Sequence, residues 1–174
     1  VMRVVVRCGA AAMAAVAVAA IAAMVAMVAM AALGAEAPED FHFVLLGDRT
    51  GEVQPGVFEK VLREAAASEP AFMLSVGDTI QGLNDKAAES EWKSVERILA
   101  PYRRIPLYLA PGNHDIWSAE SERLFRQYAG HPLHYSFDYG SLEQGGAHFA
   151  VLDNSRWDQL PAAELAWLEG DLRE

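Results

Sequence analysis

A chain of 174 residues is long enough for one domain of ordinary size. Its formal net charge of -10 excludes a nucleic-acid binder that works by neutralising phosphates with Lys and Arg. The one cysteine, Cys8, lies near the amino terminus, so the remainder has no thiolate, and any metal it holds must use oxygen and nitrogen donors.

Residues 8–34 carry no charge and are almost entirely Ala, Val and Met, behind Arg3 and Arg7. A basic head before a greasy body is the layout of an export signal. Ala35-Glu36-Ala37 supplies the small residues a signal peptidase reads, which places cleavage after Ala37. As a helix the body would reach about 40 Å, more than the roughly 30 Å of a bilayer's hydrocarbon. A retained membrane anchor through residues 8–34 is therefore the other reading. Without residues 1–37 the formal charge moves from -10 to -11, because Arg3, Arg7 and Glu36 leave together.

Residues 38–174 form the domain, and its elements follow a steady rhythm. Residues 41–46 read as a buried strand. Residues 55–68 carry Val57, Phe58, Val61, Leu62 and Ala65 at helical spacing, with Pro55 in the first turn. Residues 71–76 make a second apolar run. A helix over 86–99 points Trp92, Val95, Ile98 and Leu99 inward and leaves Glu89, Glu91, Lys93 and Glu96 in water. Pro101 and Pro106 bracket its exit into a strand at 107–110. A helix at 119–128, strands at 135–138 and 148–152, and a last helix at 161–172 complete the series. Residues 142–146 read as a hairpin-like turn, and 154–160 as a polar loop after a strand end. Strands separated by helical crossovers imply right-handed βαβ units and a parallel sheet, an α/β fold.

Each of the first three strands ends in a glycine and a polar residue: Gly47-Asp48, Gly77-Asp78 and Gly112-Asn113. In a parallel sheet every crossover returns the chain to the same edge, so these three side chains converge on the carboxyl rim, where open α/β sheets place their ligands. Two carboxylates and an amide make an oxygen-rich set suited to divalent metals when imidazoles join them. Asp and Asn also begin turns and cap helices after strands. Three at matching positions, one of them within Gly112-Asn113-His114-Asp115, favour a shared site.

The segments LLGDRTG (45–51), SVGDTIQG (75–82), APGNHD (110–115) and HYSFDYGSLEQGGAHFAVLDNS (134–155) resemble, in order and spacing, the calcineurin-like metallophosphoesterase superfamily. The likeness covers residues 41–174. It implies a four-layer α/β/β/α sandwich, incomplete at its carboxyl end, whose two-metal centre hydrolyses phosphomonoesters or phosphodiesters. Carried over by position, Asp48 binds a first metal, Asp78 bridges both and Asn113 binds the second, the ions being Mn, Fe, Zn or Mg. His114 would face the substrate, stabilising the phosphoryl transition state or protonating the leaving oxygen, and Asp115 would orient its imidazole.

Four departures qualify that likeness. Thr50 stands where the pattern Asp-x-His has its imidazole, and Gln81 where an acid or a Tyr is usual, leaving an amide as a weaker ligand. Arg49 reads either as a bidentate phosphate binder or as a surface salt-bridge partner. The family's later lone His and Gly-His-x-His motif have no counterpart after Asp115, since His131 and His134 come too early in the order. His42 and His148 read as packed or hydrogen-bonded core histidines, and Trp157, Trp167 and Leu168 as packing residues. The expectation is an exported, metal-dependent phosphohydrolase whose chain stops before the end of its catalytic domain and whose activity is impaired for want of histidine ligands. The competing expectation is a catalytically degenerate binding or scaffold domain that keeps the fold.

Overall fold

The computed structural model describes residues 40–51, 54–156 and 159–173; residues 1–37, expected to be a leader or anchor, and Trp157 lie outside these described residues. Among them no helix is long and apolar enough to cross a membrane. The elements run β1 (Val44–Leu46), α1 (Val57–Ala67), β2 (Met73–Ser75), α2 (Asp85–Leu99), β3 (Leu107–Leu109), α3 (Ala119–Ala129), β4 (Tyr135–Tyr139), β5 (Ala147–Val151) and α4 (Ala162–Asp171), with short 3-10 turns at Ala100–Tyr102 and Leu142–Gln144. The second turn sits where the hairpin-like connection was expected.

The strands β1, β2 and β3 pair in that order and in parallel, with Val44, Met73 and Leu107 in one row and Leu46, Ser75 and Leu109 in another. The period of two sends these rows to one face, where Leu46 and Met73 pack on Leu62 and Ala65 of α1. On the same side Leu109 joins Trp92 and Val95 of α2 and Leu124 and Phe125 of α3. Sequence chemistry starts both of the latter helices. The Asn84 side chain accepts the Lys86 N–H before α2, and Ser118 and Ser121 form a reciprocal capping box before α3.

The opposite face of the parallel sheet is aromatic. Phe72 meets Phe137 and Phe149 edge-on, and Tyr108 stacks on Phe137 with ring centroids 3.6 Å apart. Those partners belong to the antiparallel pair β4–β5, in which Phe137 lies opposite Phe149. The outward residues of the same strands, Ser136 and His148, bond to Asp171 of α4. The layers are thus helices, parallel sheet, antiparallel pair and helix, the α/β/β/α order that the resemblance implied.

The regular strands are shorter than the apolar runs, yet pairing continues past their ends. The Ala71 N–H donates to His42 O at 2.9 Å, and the Ala110 N–H to Ser75 O at 3.1 Å. His42 and His148 are hydrogen-bonded but not core residues. His42 is exposed and holds Ser68 O through Nε2, while His148 lies on the outer face between two carboxylates. Burial cannot be read from alternation alone when the second face of a short strand pair is covered by a helix with polar contacts.

Candidate functional site

The three strand-end loops do meet. Asp48, Asp78 and Asn113 line one open cavity of about 570 Å³ at the carboxyl edge of the parallel sheet. Two glycines make the approach of the second and third loops possible. A Cβ on Gly77, whose φ is +104°, would come within 2.8 Å of the Gly112 Cα, and a Cβ on Gly112 would collide with the Asp78 carboxylate. Asp78 itself sits in the left-handed region at φ +53°, a conformation that a non-glycine residue holds only when its surroundings fix it. One contact that fixes it is a hydrogen bond: Asp78 Oδ1 accepts the His114 backbone N–H at 2.9 Å.

Asp115 is completely buried beneath this junction. Its Oδ1 accepts the N–H groups of Thr79 (2.9 Å) and Ile80 (3.1 Å), and its Oδ2 accepts that of Gly112 (3.0 Å). Burial pushes its carboxyl up to about 6, against the three N–H donors that favour the anion, so at neutral pH it is the carboxylate these donors require. The expectation that Asp115 orients the His114 imidazole is therefore corrected: both its oxygens are committed to backbone, and it clamps the β2 and β3 loops together. The His114 ring is held instead by Gln81, whose backbone oxygen lies 2.5 Å from Nδ1. A carbonyl only accepts, so Nδ1 carries the hydrogen and Nε2 is the nitrogen left to exchange a proton.

Gln81 is exposed and is not among the residues lining the cavity; its part in the site is that main-chain carbonyl rather than an amide ligand. Arg49 is engaged within the protein. Its Nη1 donates to Thr79 O at 2.9 Å and its guanidinium lies 4.9 Å over the Phe58 ring, facing a neighbouring cavity of about 290 Å³ that shares Asp48. Desolvation lowers its pKa, with Glu59 opposing. Thr50, in place of an imidazole, turns inward on its neighbour: its N–H and hydroxyl both donate to Asp48 Oδ1, at 2.6 and 2.7 Å. These two bonds, the hydroxyl first, hold the Asp48 carboxyl below its usual range, and the nearby His114 adds to the effect.

The same cavity is lined by Asn154, Ser155 and Arg156, which the polar loop after β5 supplies. The sequence reading assigned these residues no role. The signal was present as Asp153-Asn154-Ser155, the pattern of a side chain that bonds its own backbone two residues on. The Asp153 Oδ1 does accept the Ser155 N–H at 3.0 Å and its hydroxyl at 2.6 Å.

Oxygen donors from two carboxylates and an amide fit a hard divalent cation such as Mg or Mn. Among the described residues no three His, Cys, Asp or Glu side chains gather into a metal-binding group, and no His lines this cavity. His131 and His134 lie elsewhere, the first against Pro132 O and the second against Glu164.

Comparison with known proteins agrees with this fold. The model of the calcineurin-like phosphoesterases matches residues 40–169. The chain is 30% identical over 112 residues to the serine/threonine-protein phosphatase CPPED1 of Homo sapiens and to that of Pongo abelii. The match covers 60% of this chain, which spans only 35% of the length of each of these relatives. The chain belongs to the calcineurin-like phosphoesterase family.

Proposed function

We propose that this family member hydrolyses phosphomonoesters or phosphodiesters at the cavity shared by Asp48, Asp78 and Asn113, with two divalent ions drawn from Mn, Fe, Zn and Mg. The observation that carries the reading is the meeting of three oxygen donors at one sheet edge, secured by the interlock of Gly77, Gly112 and Asp78. In this reading Asp48 would hold one ion, Asn113 the other, and Asp78 would serve both. Ions held there would supply Lewis-acid polarisation of the phosphoryl oxygens and ready a water for attack. The chain's own groups do the rest. The Gln81 carbonyl fixes the His114 tautomer, leaving Nε2 to hold a proton for the departing oxygen. Asp115 keeps the two loops in register so that Asp78 and Asn113 stay together.

A second reading, a binding or scaffold domain without turnover, is favoured by Thr50, both of whose donors go to Asp48. The two separate in a titration of Mn into the protein with p-nitrophenyl phosphate as substrate. Asp78→Asn is expected to abolish both Mn binding and hydrolysis. His114→Ala is expected to keep Mn binding and to lower kcat by about 100- to 10,000-fold. Mn binding that survives Asp78→Asn sinks the two-ion reading, and wild-type protein that binds Mn and phosphate without hydrolysis establishes the scaffold. The site of action in this reading is outside the cytoplasm, supported by the charge-free run behind Arg3 and Arg7. Sequencing the mature amino terminus distinguishes a cleaved leader from an anchor.

A further inference from the structure

The loop that supplies Asn154, Ser155 and Arg156 to the cavity is held from behind by two carboxylates, Asp153 and Glu164, only 3% and 8% exposed. Their contacts form one chain. Trp167 stacks on the His134 ring at 4.6 Å, and His134 Nδ1 donates to Glu164 Oε1 at 2.6 Å. The other oxygen, Oε2, accepts the Asp153 backbone N–H at 3.2 Å. Asp153 in turn bonds Ser155 twice through Oδ1, and its Oδ2 lies 3.7 Å from Arg156 Nη2. A further tie runs from Arg156 Nη1 to Glu122 of α3 at 3.3 Å. Glu164 is also the single buried residue of α4, so the helix brings a carboxylate, and no apolar side chain, to full burial. Burying two carboxyl groups beside one loop is unfavourable unless each is paired and hydrogen-bonded. A loop with no task beyond connecting β5 to α4 could be closed with neutral groups.

We propose that Glu164, acting through Asp153, is a positioning residue for substrate: it sets Asn154, Ser155 and Arg156 at the cavity they share with Asp78 and Asn113, so that amide and guanidinium donors meet the anionic phosphoryl group. This rests on the phosphoesterase reading and extends it to how the phosphoryl oxygens are recognised. Glu164 touches neither substrate nor ions; its effect passes through the Asp153 N–H.

The test uses the full chain and two readouts: amide hydrogen exchange, and steady-state hydrolysis of p-nitrophenyl phosphate with Mn. In Glu164→Ala the amides of residues 153–156 are expected to exchange about tenfold faster, while those of α2 hold, as the loss of a hydrogen bond to a charged acceptor implies. KM is expected to rise about tenfold with kcat little changed. Glu164→Gln keeps an acceptor for the Asp153 N–H and is expected to restore most of both. If Glu164→Ala fails to fold, His134→Ala, which removes one contact of the chain, takes its place with the same expectation. An unchanged loop exchange overturns the positioning role whatever the activity, and so does an unchanged KM. A wild-type protein that hydrolyses nothing while the loop loosens as expected overturns the hydrolase reading and leaves the loop's dependence on Glu164 standing.

Discussion

On one outer face of the sandwich α2 and α3 meet through Trp92, Val95, Leu124 and Phe125, each no more than 1% exposed. On the other, α4 is held to β4 and β5 by His134 against Glu164, and by His148 between Asp138 and Asp171. The first layer is fixed by apolar area, which pH does not touch. The second is fixed by groups that titrate. His148 is raised by its hydrogen bonds to Asp171 and Asp138, and Asp171 is lowered by those from Ser136 and His148. The two helical layers therefore answer to different variables, and the carboxyl rim lies between them.

The largest effect expected is in the apolar layer. Trp92, stacked on Tyr128 and edge-on to Phe125, leaves a large cavity on truncation, so Trp92→Ala is expected to cost about 3 to 5 kcal/mol in urea unfolding, by the same amount at acid and alkaline pH. A cost that varied with pH would break the distinction between the layers. Next comes the clamp beneath the rim. Asp115→Ala leaves three backbone N–H groups without an acceptor and is expected to lower stability by about 3 kcal/mol or more. A loss under about 1 kcal/mol would mean that water or a neighbouring group takes over these donors.

The smallest effect is expected in the polar layer, and it is local. A histidine whose folded pKa is raised contributes its full share below the unfolded value and loses it as pH rises through the folded value. Asp171, lowered in the fold, contributes above its unfolded pKa and loses that share as pH falls through its lowered one. Protection of α4 amides is thus expected to be greatest in mildly acidic solution and to fall as His148 deprotonates, with α2 unmoved. Asp171→Asn should flatten that dependence. Amide exchange across about pH 5 to 9 measures it, and equal profiles for α2 and α4 would erase the contrast.

Much of the apolar layer was readable from the chain. Val57 to Ala65 and Trp92 to Leu99 carry helical spacing, and the burial of Leu62, Trp92 and Val95 follows from it. So was the meeting of Asp48, Asp78 and Asn113, because parallel crossovers leave loops of this kind no other edge. The partners of His114 and Asp115 were not readable. Both lie next to each other in sequence, yet Gln81 and Thr79, which hold them, come from another loop, and only the close packing of Gly77 on Gly112 decides which side chain meets which. Arg49 was hidden for a similar reason: its turn toward Thr79 O and Phe58 depends on where α1 settles. Polar docking of α4 has no periodic signature, since a buried Glu164 looks in sequence like any exposed one.

The clamp at Asp115 also bears on how the chain reaches its folded state. Its bonds to Thr79 and Ile80 span 36 and 35 residues, and they can form only once β2 and β3 have paired around α2. The donor set of the rim is then absent from every partly folded form that lacks this pairing, because the loop-closure entropy must be met before the contact exists. A ligand that needs Asp78 and Asn113 side by side consequently selects the folded chain alone, and its binding energy adds to stability in proportion to the logarithm of its concentration.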